Sequence, residues 1–535
     1  MGRNIVLFSD GTGNKGGTGS NTNVFNLYNA IKGGRQKPGE RKQIAFYDNG
    51  VGTSSHAVAR AIGGATGSGF RQNVRDLYEF LGRHYKDGND IYGFGFSRGA
   101  ATVRAFAGMV HHCGLVRKHT GRCGDDGNEV ELDEVEFQRQ VDAAMATYVR
   151  RCGGISLRGL WEAIAPPDLK YDRHQVKIEF LGVWDTVAAL GFPQIWLLDF
   201  VVNLIRRHRF YDYEPTAVVN HVFQAVAVDD ERRTFWPLIW DETGFADDQH
   251  IEQVWFSGVH SNVGGGYPRE GLANITLDWM IARLKGHRNS IAGDDRGLVL
   301  EKDFPDEVRN GISQYGKLYD SRAGFALLYR YQPRPIKELC TGRLRGNGRV
   351  RIHSSVLDRM KRRTAGYGPG QLPDSFDEVE THGPEGSKEP ALYGNVVQEV
   401  DMNETAWTKI RSKIDGITGL RIGMYWAFLA TTVALLAVSF SFWIGWLDPC
   451  GFENAWRAPD WVVWVLGHVA DVLQYFLPDF FNNIITFGIL EQPWWGGGLF
   501  GLIGLYYWLR CKLRCKSNKA CETARGLVLR KARPA

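Results

Sequence analysis

An apolar strand, Asp90-Ile-Tyr-Gly-Phe94, runs into Gly95-Phe-Ser97-Arg-Gly99 and leaves as Ala100-Ala-Thr-Val-Arg-Ala-Phe-Ala107, a run of helical character. Such a passage needs strand and helix to approach closely, and Gly and Ala leave the room for it. The flanking chain repeats the alternation. Short apolar runs at 5–8 and 44–47 stop at Asp10-Gly and Asp48-Asn-Gly50, and Val74, Leu77, Tyr78, Leu81 and Tyr85 recur at helical spacing. Further strands are expected at 176–183, 221–228 and 253–258. Strand, helix, strand in this order predicts an α/β fold with a mostly parallel central sheet and right-handed crossovers.

The hydrophobic fraction of 44% and charged fraction of 23% are those of a globular chain. Eight cysteines in 535 residues make no disulfide scaffold, and none has zinc-ligand spacing, so neither metal nor cofactor is expected. A first domain is expected over residues 1–290. Residues of about 117–175, which carry an acidic run, read as an insertion at the sheet's edge. Residues 192–213 join Phe192 and Trp196 to Arg206, Arg207 and Arg209, either a core helix with a basic end or a lid that meets a membrane surface. Residues 291–415 are polar and rich in Gly and Pro, and read as a helical and loop extension.

Residues 416–510 read as a membrane region. Uncharged stretches at 422–447 and 492–509 are candidate spans, the second with Trp and Tyr near its ends. Net charge is +5 overall, yet the tail from Arg510 onward carries nine basic residues against one acidic, Glu522. A basic tail after an apolar run points to anionic lipid rather than nucleic acid. The basic flanks predict a two-span membrane protein with its first domain and its C-terminus in the cytoplasm.

The chemistry centres on Ser97. A serine hydroxyl needs a positioned base to become a nucleophile. Enzymes that carry a serine on a strand–turn–helix elbow supply acid and histidine later in the chain, from strand ends. Phe180-Leu-Gly-Val-Trp-Asp185 ends a strand on a carboxylate. Val254-Trp-Phe-Ser-Gly-Val-His260 ends one on a histidine that opens into Gly264-Gly-Gly266. Asp229 also follows a strand and is a rival acid, although Arg232 and Arg233 beside it suggest an ion pair. Backbone N–H groups for an oxyanion are expected from Arg98 and from the loop of Gly11 and Thr12.

The series Phe8-Ser-Asp10-Gly-Thr-Gly-Asn14, Tyr47-Asp-Asn-Gly-Val-Gly-Thr53, Gly95-Phe-Ser-Arg-Gly-Ala100, Gly182-Val-Trp-Asp185-Thr-Val and Gly258-Val-His260-Ser-Asn-Val-Gly-Gly-Gly-Tyr267 resembles that of one hydrolase family. It is the large α/β-hydrolase-domain family of unassigned function that includes type VI secretion phospholipase effectors. The resemblance covers about residues 3–285. It implies an α/β-hydrolase with a lid, acting without a metal on the ester bonds of membrane phospholipids, with Ser97, Asp185 and His260 as its triad. It also implies a secretion-apparatus or immunity partner. Asn262 stands where members of the family often have Asp. A small-ester or thioester hydrolase, and a non-catalytic membrane scaffold, are the alternative functions.

Overall fold

A computed structural model describes residues 2–11, 19–33, 41–49, 68–123, 129–152, 171–188, 213–290, 297–382, 395–402, 405–443 and 493–532, apart from 215, 325, 327 and 328, together with Trp464 and His468. Two compact units emerge, one of residues 1–404 with 525–535 and one of residues 405–524.

The first unit is built on a nine-stranded sheet. Its strands are β1 (Asn4–Ser9), β2 (Gln43–Asp48), β3 (Asp90–Phe96), β6 (Ile178–Trp184), β7 (Val219–Ala227), β8 (His250–Phe256), β9 (Val350–His353), β10 (Ser375–Glu380) and β11 (Asn395–Asp401). Two short strands, β4 (His119–Cys123) and β5 (Glu129–Glu131), pair separately within the expected insertion. The sheet order is β2-β1-β3-β6-β7-β8-β9-β10-β11, parallel throughout except for the antiparallel edge strand β11.

Helices cover both faces. The helices α1 (Asn23–Gly33), α2 (Ser68–His84), α3 (Arg98–Cys113), α4 (Glu134–Cys152), α5 (His260–Gly264) and α6 (Gly271–Ser290) precede the smaller α7 (Phe304–Asn310), α8 (Ile336–Cys340) and α9 (Ser354–Lys361). On one face Val74, Leu77 and Leu81 of α2, Val103 and Phe106 of α3 and Phe137 of α4 pack with Ile5, Leu7 and Ile91. On the other, Leu27 of α1 and Trp279 and Met280 of α6 pack with Phe8, Phe94, Phe180 and Phe223. Burial from both sides is why these strands read as continuous apolar runs rather than alternating ones.

The chain leaves β1 toward β2 on one side and later returns through β3 on the other, so the order reverses between β1 and β3. Open parallel sheets bind ligands outside the carboxyl ends of their strands at such a reversal. Ser97 and Asp10 flank that point, directly after β3 and β1.

One expectation needs correcting. Residues 291–415 are not an extension of helices and loops, because β9, β10 and β11 belong to the sheet and the first unit runs to residue 404. The physical reason is that these strands are charged yet paired inside. Arg351 bonds Glu242 at 3.0 Å, and Glu378 is fully buried.

In the second unit, α10 (Thr405–Trp443) and most of α11 (Pro493–Ala532) contain the expected spans, and Phe428 stacks on Tyr506 at 4.2 Å between ring centroids. Among the described residues, however, no helix is long and apolar enough to cross a membrane. Of the stretch 422–447, the last four residues lie outside the described ones. The stretch 493–509 rises only about 25 Å as helix before the basic run, short of the roughly 30 Å hydrocarbon core.

Candidate active site

Ser97 sits on the turn between β3 and α3 with φ 60° and ψ −123°, a conformation strained for any residue with a Cβ. The neighbouring glycines make that turn possible. A Cβ on Gly99 would stand 2.1 Å from the carbonyl oxygen of Ser9, and one on Gly95 would stand 2.7 Å from the backbone of Ala100. The Ser97 amide donates to Trp184 O at 3.0 Å, which fixes the turn against the end of β6.

The next residue on that strand is Asp185, also at positive φ (41°), with its amide donating to Ala225 O at 2.8 Å. His260 opens α5 just beyond β8, and its amide donates to Asp230 Oδ2 at 3.2 Å. Its ring lies between Phe96 and Phe235, with centroids 4.7 and 4.9 Å away.

These three strand ends bring Ser97, His260 and Asp185 into one line. His260 Nε2 lies 2.7 Å from Ser97 Oγ, and His260 Nδ1 lies 2.5 Å from Asp185 Oδ2. All three are buried, Asp185 completely. With Asp185 ionised, Nδ1–H donates to the carboxylate, so Nε2 carries the lone pair and accepts from the serine hydroxyl.

Burial opposes ionisation of Asp185, but Arg334 and the His260 hydrogen bond outweigh it and hold its carboxyl well below the usual range. Burial pushes His260 below the ordinary imidazole value, while the Asp185 bond works the other way.

Arg334 is the residue that sequence reasoning missed. Nη1 donates to Asp185 Oδ1 at 2.6 Å and Nη2 to Oδ2 at 2.7 Å, and the same two nitrogens donate to Ala227 O and Phe235 O at 2.5 Å each. The Ala227 amide also donates to Asp185 Oδ1, at 2.9 Å. Neither Arg334 nor Asp185 exposes any side-chain surface. No motif marks Arg334. The available signal is its place in Pro333-Arg-Pro335, where two fixed φ angles stiffen the backbone that carries it.

Other expected residues fare differently. Asp229 stays off the line. Its Oδ2 accepts from the Gly258 amide at 2.7 Å and from Tyr367 Oη at 3.0 Å, and burial raises its pKa to about 6. The ion pair expected beside it belongs to Asp230, which Arg232 meets at 2.7 Å. The Gly11 amide donates to Asp10 Oδ1 at 2.6 Å, so it is engaged by its own neighbour rather than turned to an oxyanion. Arg98 opens α3 directly after Ser97, where a helix's first N–H groups have no intrahelical acceptor. Thr12, Phe192, Trp196, Arg206, Arg207 and Arg209 lie outside the described residues.

Asn262 uses the amide that an Asp would lack. Its Nδ2 donates to Lys317 O at 3.2 Å, while Oδ1 accepts from Tyr319 N at 3.3 Å. Among the described residues the cluster with metal-ligand spacing is Glu179, His221 and His287, toward the amino ends of β6 and β7.

The family model of the T6SS phospholipase effector Tle1-like catalytic domain matches residues 3–283. The chain belongs to this family. Ser97, Asp185 and His260 fall within the matched segment, and Arg334 lies beyond the Tle1-like segment. Uncharacterized protein YEL023C of Saccharomyces cerevisiae is 26% identical over 264 residues, 44% of this chain and 32% of its own length. The match thus spans about a third of that curated relative. The crystal structure of an uncharacterized protein from Pseudomonas aeruginosa aligns with 59% of the Tle1-like chain and 49% of its own, at 17% identity and a TM-score of 0.32, too low to carry an argument.

Proposed function

We propose that the chain is a serine ester hydrolase that cleaves acyl esters of glycerophospholipids at a membrane surface. The observation that carries the reading is the continuous hydrogen-bonded line from Ser97 Oγ through His260 to Asp185. Ser97 Oγ attacks the ester carbonyl while His260 Nε2 takes its proton. The tetrahedral intermediate collapses with the leaving alcohol taking that proton from His260. Water then repeats the sequence on the acyl-enzyme. Asp185 holds the imidazole tautomer and stabilises the imidazolium, and Arg334 keeps Asp185 ionised and in place. The Arg98 amide serves the oxyanion.

Lipid-surface binding falls to the C-terminal region, where Leu505, Tyr507 and Trp508 are more than half exposed and the exposed Lys512, Arg514 and Lys516 follow on the same helix. Apolar and aromatic side chains beside a basic run suit an anionic interface. Membership in an effector family favours a secretion or immunity partner.

The test is hydrolysis of a panel of lipid vesicles by the full chain beside Ser97→Ala. Release of free fatty acid by the wild type alone supports the reading. Equal release by both proteins places the nucleophile elsewhere, and cleavage confined to short soluble esters overturns the phospholipid substrate.

A further inference from the structure

The end of the sheet remote from Ser97 carries a second group of polar side chains that this chemistry does not use. Glu179 is near the start of β6, His221 near the start of β7, and His287 in the last turn of α6. Asp185 is six residues along β6 from Glu179, about 20 Å at the rise of a strand. His287 Nε2 lies 3.0 Å from Glu179 Oε1, and His221 Nδ1 lies 3.7 Å from the same oxygen. The His221 and His287 rings meet edge to face with centroids 4.7 Å apart.

Those separations have a chemical meaning. A tetrahedral zinc-type ion with bonds of about 2.0–2.1 Å puts its ligand atoms roughly 3.3 Å apart, and the two contacts to Glu179 Oε1 bracket that edge. Two imidazoles and one carboxylate suit zinc-class cations rather than calcium or magnesium, which take oxygen. The surroundings already orient the carboxylate, because Asn220 Nδ2 donates to Glu179 Oε2 at 2.7 Å and leaves Oε1 as the ligand atom. Glu179 and His221 each keep about a fifth of their side-chain surface exposed, which gives an ion an entry route and a water the fourth position. We propose that Glu179, His221 and His287 form a binding site for one zinc-class divalent cation, joining β6, β7 and α6 at the amino end of the sheet.

The hydrogen bonds from His287 and Asn220 hold the Glu179 carboxyl down at about 2 against its burial. Burial and the neighbouring His287 lower His221. Binding a cation requires that the ring nitrogens facing Oε1 carry no proton. Two exchanges are required, and in the first the His287 Nε2 proton that bonds Glu179 Oε1 moves to Nδ1. In the second, Nδ1 of His221, which donates to Glu179 O at 3.0 Å, passes its proton to Nε2 and gives up that hydrogen bond.

The experiment uses the full chain stripped with a chelator, then titrated with zinc by calorimetry and followed by thermal melting. Cys511 and Cys515 are exposed, so the titration runs in a Cys511→Ser/Cys515→Ser background. The expected result is about one zinc per chain and a higher melting temperature. Glu179→Gln keeps an acceptor for His287 but not a strong metal ligand, and should weaken binding on the order of 100-fold. His221→Gln should do the same, and Asn220→Ala should cost about 10-fold. Cobalt in place of zinc should show a tetrahedral spectrum without a thiolate charge-transfer band. Circular dichroism of metal-free variants checks that they fold, and soluble-ester hydrolysis should be unchanged. No uptake by the wild type, or wild-type affinity in both Glu179→Gln and His221→Gln, overturns the site.

Discussion

Replacing Arg334 with Met removes the guanidinium from a carboxylate that has no water to turn to. Two ionic hydrogen bonds to Asp185 and two bonds to carbonyls disappear together. Breaking a buried ion pair by deleting one partner costs about 3–5 kcal/mol, most of it the stranded charge, against roughly 5–15 kcal/mol of total stability. The cost depends on pH with a definite sign. Asp185 has its folded pKa depressed, so its pair stabilises above the unfolded value of about 3.9 and the gain is lost as pH falls. Without Arg334, burial is opposed only by the His260 and Ala227 hydrogen bonds, so the Asp185 pKa rises and the variant neutralises the stranded charge as pH drops. Urea unfolding should therefore show a gap of a few kcal/mol at pH 8 that narrows toward pH 4. Turnover of a short soluble ester should fall by about 10–100-fold in kcat with little change in KM, as for a residue that acts through a catalytic group. Arg334→Lys should recover part of the stability but not the two-pronged geometry. Equal stability at pH 8 together with full kcat in Arg334→Met would refute the reasoning.

Asp185→Asn should lower the rate by about 10⁴ through the wrong imidazole tautomer, whereas Asp229→Asn should leave kcat within a few-fold; ester kinetics of the two variants give the ranking. Ser97→Ala should abolish labelling by a fluorophosphonate probe, and Ser97→Gly should melt higher than Ser97→Ala because glycine adopts φ 60° without strain, by about 1 kcal/mol. Gly99→Ala should fold poorly, since its methyl meets Ser9 O at 2.1 Å; recovery of soluble protein and its melting temperature test this. The acid limb of kcat/KM should fall below about pH 6.5, because burial lowers His260 and the neutral ring is the base. An acid limb at or above the free imidazole value contradicts that environment.

The parallel core was legible because strands buried on both faces read as unbroken apolar runs, and the helix carrying Val74, Leu77 and Leu81 presents one apolar face. Ser97, Asp185 and His260 were legible because each ends a strand beside small residues. The edge strands were not. Arg351, His353, Asp377 and Glu378 look like a solvated surface in one dimension, and only the fold supplies partners such as Glu242 for Arg351. Arg334 escaped for a related reason, since a lone arginine between prolines becomes informative only when a carboxylate 149 residues away is set against it. Gly11 misled because its amide is engaged by the side chain of Asp10 next to it, a local contact that no spacing rule reveals.

The separation of Arg334 from Asp185 also sets an order in time. A ribosome adds about 5–20 residues per second, so the 149 residues between acid and guanidinium take on the order of ten seconds to appear. During that interval Ser97, Asp185 and finally His260 can all have emerged while the carboxylate still lacks its counter-charge. A nascent chain in that state buries Asp185 as an anion only at a cost, so the hydrogen-bonded line is at its weakest until Arg334 has emerged. Full assembly of the centre is in this sense a reading of chain length, and a polypeptide interrupted before Arg334 carries every residue of the line without the counter-charge that steadies it.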